Sequence, residues 1–210
     1  MNYCVVTADV RRSREVQDRR ALQEKILLLL NEVNQQEKEA LAVPFSITLG
    51  DEWQGVLRGC AAGFWAAIRF VEELFPYRLS VGIGYGSIET GLLPRSAEMD
   101  GVAFHRSRAA LEQAKDTGQE ILFSLGRQSH DLILNAASRL LQLVRQDWTA
   151  SQFEKLRLFK QLGTERSVAE ELGISQQSVN KALQAIHART YLEQEQRILR
   201  FLELEYGPER

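Results

Sequence analysis

Two rhythms of apolar residues divide this chain. Up to about residue 126, short β-prone runs alternate with longer stretches of helical spacing; beyond it only the helical spacing remains. Residues 5–8 are compact, β-branched and bounded by polar positions, which predicts a buried strand. From about Glu15 to Ala40, the apolar residues Val16, Ala21, Leu22, Ile26, Leu29, Leu30 and Val33 fall at steps of three and four, predicting a helix that Pro44 must end. Residues 45–49 and 53–57 flank Gly50-Asp51-Glu52 and read as a hairpin. Residues 61–75 return to helical spacing before Pro76. In "YRLSVGIGYGSI", residues 77–88, Leu79, Val81, Ile83 and Tyr85 alternate with glycines, as in a strand with one bare face. Residues 89–100 read as loop, followed by a helix over about 102–115 and a last strand over 120–124. The order β-α-β-β-α-β, then α-β, predicts an α+β, ferredoxin-like or palm domain: an antiparallel sheet with helices on one face.

After "GRQS", residues 126–129, the pattern predicts helices at roughly 130–147, 150–162, 165–172, 176–189 and 190–205, with Thr149 to Gln152 as a capping box. The boundary therefore falls near 126–129, giving a palm domain over 1–126 and an all-α domain over 127–210. Within the latter, "TERSVAEELGISQQSVNKALQAI", residues 164–186 of a unit reaching about 189, has the layout of a helix-turn-helix. That motif needs a small residue at the crossing, a glycine in the turn and apolar residues that lock the angle. Ala169, Gly173 and the set Val168, Leu172, Ile174, Val179 and Leu183 fill those places, and Ser175 suits the second helix's N-cap. Its outer face carries Gln176, Gln177, Ser178, Asn180, Lys181 and Gln184, amides and a cation suited to base edges and phosphate. No acidic residue occurs from Leu172 through Leu192. The same geometry also serves protein contact.

Composition narrows the partners. The 210 residues are 44% hydrophobic and 26% charged, with a formal charge of -2, so affinity for DNA has to come from a local patch. Cys4 and Cys60 have no framework spacing and read as buried thiols of a reducing compartment. The longest apolar run, residues 26–30, falls short of the roughly 20 residues a bilayer span needs. A cytoplasmic location and no membrane partner are the resulting expectations.

The candidate chemistry lies in "TADVRRSR", residues 7–14. In a β-α-β-β sheet the end of the first strand lies beside the hairpin turn, so Asp9 and Asp51 can share a divalent cation. Mg²⁺ favours one or two carboxylates completed by substrate phosphates, and Arg11, Arg12, Ser13, Arg14 and the following helix N-terminus offer a phosphate cradle. A solvated charge cluster is the plainer reading of the same residues. The glycines of 82–86 precede no helix directly and form no dinucleotide fingerprint; they suit close backbone or subunit approach.

Taken together, "ADVRRSR", "LGDEWQGVL", "LSVGIGYGSI", "MDGVAFHRSRAALEQA" and "GQEILFS" resemble the SatD family of bacterial cytoplasmic proteins. More distantly, residues 3–125 are similar to class III nucleotidyl cyclase domains and, at the Gly-Asp-Glu-Trp turn, to GGDEF diguanylate cyclases. The resemblance implies Asp9 and Asp51 as metal aspartates, residues 11–14 and the Val10 carbonyl near metal and triphosphate, and His105 and Arg108 near nucleotide. It also implies a homodimer with sites at its interface. Two departures stand against catalysis: the purine-reading lysine of cyclases falls on Ile47, and their Asn and transition-state Arg fall on His105 and Ala109, with Arg106 and Arg108 out of register. The expectation is a regulator that binds nucleotide with Mg²⁺ through one domain and DNA through the other. An active nucleotidyl cyclase or other metal-dependent phosphoryl transferase, and a ligand-free dimerisation scaffold, are the alternatives.

Overall fold

The computed structural model describes residues 1–208. Five strands, β1 (Asn2–Val10), β2 (Leu41–Leu49), β3 (Glu52–Leu57), β4 (Leu79–Ser87) and β5 (Ile121–Ser124), form one sheet in the order β2-β3-β1-β4-β5. Among the described residues eight α-helices accompany them: α1 (Arg19–Gln36), α2 (Cys60–Glu73), α3 (Val102–Thr117), α4 (Gln128–Arg145), α5 (Ala150–Leu162), α6 (Glu165–Leu172), α7 (Gln176–Ala185) and α8 (Ala188–Tyr206). By packing, the chain divides into two compact units, Met1–Arg139 with Ile198–Arg210, and Leu140–Arg197. The α+β class with a following helical region is as the sequence pattern predicts.

In the first unit the pairs β1/β3, β1/β4 and β2/β3 are antiparallel, and only β4/β5 is parallel. β2 begins at Leu41, so Pro44 lies inside a strand rather than ahead of one. The position tolerates proline because β2 is at the sheet edge and its register shifts between Val43 and Ser46. Cys4, Val6, Ala8 and Trp53 face α2: Gly63 packs on Cys4 and Val6, and Trp53 meets Phe70 edge to face at 5.4 Å. α1 lies beside α2, tied to it by Arg69 donating to Gln36 at 2.6 Å, and to β2 by the Asn34 amide on the Phe45 backbone.

The opposite face belongs to α3, so the expected single helical layer is joined by a second. Thr7, on the alternate parity of β1, hydrogen-bonds Ser107 of α3 at 2.8 Å. Gly82 and Gly84 let the helix backbone settle on β4; a methyl group on either would overlap the carbonyl of Ser107 or Ala103. The topology makes this placement unusual. The β3-α2-β4 and β4-α3-β5 connections both join parallel strands and step the same way across the sheet, yet their helices cover opposite faces. The two crossovers therefore have opposite hand, against a roughly 98% preference for right-handed ones. The bare glycine face of β4 is what admits α3 there.

The second unit holds α5 to α7 with the ends of α4 and α8. Trp148 stacks edge to face with Phe153 at 5.3 Å and Tyr191 at 4.8 Å, and the Thr149–Gln152 capping box forms as predicted. Val168, Ala169, Val179 and Leu183 are buried between α6 and α7, and Gly173 takes the left-handed turn at φ 64°. Leu172 is only partly buried and Ile174 is exposed, so the angle is locked by fewer apolar residues than the sequence suggested.

Candidate functional site

The parity that brings Thr7 to α3 brings Asp9 there as well. Asp9 is cross-strand neighbour of Glu52 on β3 and of Ser80 on β4, and Asp51 occupies the turn just before Glu52. The sheet end thus gathers Asp9, Asp51 and Glu52, and the α3 face above it carries Arg108, Glu112 and Lys115 at helical spacing. Lys115 Nζ lies 2.9 Å from Asp9 Oδ2 and 3.6 Å from Glu112. Arg108 grips Glu52 with both terminal nitrogens, at 2.5 and 2.7 Å, while Thr48 donates to Glu52 Oε1 at 2.9 Å.

Electrostatics separates the two ion pairs. Burial raises the pKa of Asp9; Lys115 pulls it back only in part, and the charges of Asp51 and Glu52 add to the rise. Glu52 is held below the usual carboxylate range: burial would raise it, but the hydrogen bonds from Arg108 and Thr48 prevail. Lys115 is raised despite burial because Asp9 and Glu112 favour its charged form. Four carboxylates here face two cations, an excess of negative charge that suits a divalent ion. Asp51 Oδ2 is buried with no hydrogen-bond partner, so the residues fit such an ion. Among the described residues no group of three or more His, Cys, Asp or Glu side chains is placed to hold a metal. A two-carboxylate site completed by phosphate oxygens is the form Mg²⁺ takes in that case.

The 11–14 segment divides. Arg11 turns inward, donating from Nε to Ser80 at 2.8 Å and from its terminal nitrogen to the Ala114 and Gln119 carbonyls. It fastens β1 to α3 and is engaged there rather than in an open cradle. Arg12 has φ 52° and ψ 34°, a left-handed conformation uncommon outside glycine, and its side chain is exposed with a 4.0 Å pair to Glu15. Arg14 is exposed and Ser13 half-buried. The helix N-terminus expected to help is occupied: α1 starts at Arg19, and the Asp18 carboxylate caps it by accepting from Ala21 N at 2.9 Å. His105 sits at the other end of α3, 3.2 Å from Asp100, and Arg106 donates to the Tyr85 carbonyl at 2.6 Å. Glu52 and Lys115 were missed by sequence reasoning. The 108, 112, 115 spacing was the available signal, but it acquires meaning only once α3 is known to cover the Asp9 face.

In the helical unit, Ser175 caps α7 by accepting from Ser178 N at 3.2 Å, and Gln176, Gln177, Lys181 and Gln184 are exposed. Ser178 shares its hydroxyl with Ser175 at 2.8 Å. Asn180 is engaged inside the unit, donating to both Glu165 carboxylate oxygens at 3.1 Å. Among the described residues no helix is long and apolar enough to cross a membrane.

The family model described as the SatD family matches residues 3–202. Comparison with curated proteins gives no match. Among solved structures, the chain is similar to a bacterial light-regulated adenylyl cyclase, at 13% identity over 59% of this chain and 75% of that one, with a TM-score of 0.45. A non-canonical dimeric guanylyl cyclase domain of the RhoGC fusion protein from the aquatic fungus Blastocladiella emersonii follows at 16% identity, 51% and 71% coverage and a TM-score of 0.37. A regulator of polyketide synthase expression from Bifidobacterium adolescentis spans 95% of this chain and 85% of its own, at 13% identity and a TM-score of 0.29. At these identities the likeness extends to fold at most.

Proposed function

The chain belongs to the SatD family, and on that premise we propose that it is a dimeric regulator whose sheet unit binds a nucleotide with Mg²⁺ and whose helix-turn-helix binds DNA. The observation that carries the ligand half is that Asp51 sits in the turn one residue before Glu52, the cross-strand neighbour of Asp9, and that its buried Oδ2 lacks a hydrogen-bond partner. Asp9 and Asp51 would hold the metal, which when bound draws phosphate oxygens in beside the carboxylates. The exposed Arg12 and Arg14, with the half-buried Ser13 between them, meet the phosphates, with Arg108 and Lys115 on the α3 side. Arg108 stays anchored to Glu52, which fixes the position of its charge. His105, exposed on α3, is the remaining nucleotide contact of this reading.

For the DNA half, the exposed, acid-free face of α7 supports major-groove contact through Gln176, Gln177, Lys181 and Gln184. Ser178, itself exposed, joins the N-cap, and the half-buried Asn180 ties α7 to α6 through Glu165. A dimer would present two such helices to a two-fold operator. Gel shifts with genomic fragments at graded salt test this half. The expected result is retention of a few fragments over the rest, with Lys181→Ala weakening all of them and Gln177→Ala relaxing the preference among them. Binding that ignores sequence, or no binding, would refute it.

A further inference from the structure

Among the described residues, helix α4 carries an apolar face that is left exposed. Leu132, Ile133 and Leu140 are 65%, 64% and 64% exposed, and Leu143 and Val144 are 42% and 47% exposed. With Ala136, also exposed, these residues fall within about 120° of one another around the helix. A face of this size on one unbroken 18-residue helix is more than scattered surface hydrophobics.

The spacing of the face says what fits it. Leu132 and Val144, Ile133 and Leu143, and Ala136 and Leu140 lie at equal distances from position 138. The stripe therefore reads the same in both directions. An interface about a two-fold axis requires this, because residue i must meet j while j meets i. Laid antiparallel, two copies set Leu132 against the partner's Val144, Ile133 against the partner's Leu143, and the small Ala136 against the partner's Leu140. Asp147, exposed just beyond the C-terminus of α4, comes beside the partner's Ser129 in the first turn of its α4, where the helix dipole favours an anion. The five large side chains each have roughly 60–100 Å² left to bury. With Ala136 and the rims of both helices, the pair approaches the ~1,000 Å² at which specific interfaces begin.

We propose that α4 is the homodimer surface of this protein, formed by an antiparallel pairing of two α4 helices centred near residue 138. The proposal deepens the two-fold arrangement in the regulator reading, and it is independent of that reading's nucleotide and DNA claims. Sedimentation equilibrium of the intact chain over a concentration series tests it. The wild type is expected at twice the 23.9 kDa chain mass. Leu140→Glu places a charge against the partner's Ala136 and is expected to give a monomer with unchanged helicity. Adding Ala136→Lys to Leu140→Glu supplies the opposite charge across both halves of the axis and is expected to restore the dimer. Adding Ala136→Glu instead is expected to leave it monomeric. A monomeric wild type, whether or not it binds lipid vesicles or another protein through this stripe, would overturn the proposal. So would a dimer indifferent to Leu140→Glu. A monomeric wild type would also remove the two-fold from the regulator reading, whereas nucleotide binding and DNA binding are assayed separately on the same samples.

Discussion

Asp9 is a carboxylate under three competing influences. Burial and the charges of Asp51 and Glu52 favour its protonated form; Lys115, at 2.9 Å, favours the ionised one. A metal at Asp9 has to compete with that ammonium. In Lys115→Gln, Mn²⁺ without nucleotide is therefore expected to bind about five- to tenfold more tightly at pH 8, the worth of a partly buried ion pair. The sign with pH follows from the same pairing. Lys115 lowers the Asp9 pKa, so its removal raises that pKa further, and metal binding in the variant is lost at a higher pH than in the wild type as pH falls. Calorimetric titration at several pH values reads both, and an unchanged affinity would show that Lys115 does not guard the site. At this scale the sequence was informative about where Asp9 and Asp51 lie, at a strand end and in a hairpin turn, because those positions are local. It put Arg11 in the phosphate cradle and Asn180 on the DNA-facing side, and gave no sign of their hydrogen-bond partners, which lie 69 and 15 residues away in the chain.

Among the elements, β4 and α3 determine the site together. The glycines of β4 were legible as one bare face of a strand, and a close backbone approach was one of the two uses the sequence allowed. What they admit is α3, against the usual crossover hand, and with it Arg108 and Lys115. Gly84→Ala is expected to destabilise the fold by about 2–3 kcal/mol, although alanine suits a strand better than glycine, because its methyl group meets the helix backbone rather than a flexible side chain. Urea unfolding measures this, and a neutral or stabilising result would mean that α3 can move off the sheet at little cost. Apolar period and cap chemistry predicted most elements, since both are properties of neighbouring residues. They failed at the start of α1, where Asp18 sets the cap later than the apolar spacing suggested, and at Pro44, which only an edge strand accommodates. Which strand is at the edge, and which face a helix covers, depends on pairing across the whole sheet.

For the whole molecule, one chain of the SatD family carries a sheet unit with a cluster of carboxylates and a helical unit in which α6 and α7 meet at the Gly173 turn. The regulator reading makes the first unit the sensor and the second the reader. Their coupling predicts that a nucleotide with Mg²⁺ changes the concentration of protein needed to shift a preferred DNA fragment, in either direction, and that Asp51→Asn abolishes the change while leaving ligand-free DNA binding intact. A shift unaffected by every nucleotide would separate the two halves. The coupling presupposes a ligand site, and that site is the central claim. Calorimetric titration of nucleoside triphosphates with Mn²⁺ into the intact chain and into Asp51→Asn tests it most directly. The account predicts saturable, metal-dependent binding of at least one triphosphate to the wild type, weakened about tenfold or more in a variant that remains folded. Equal binding by both proteins, or no binding of any triphosphate by the wild type, would contradict it.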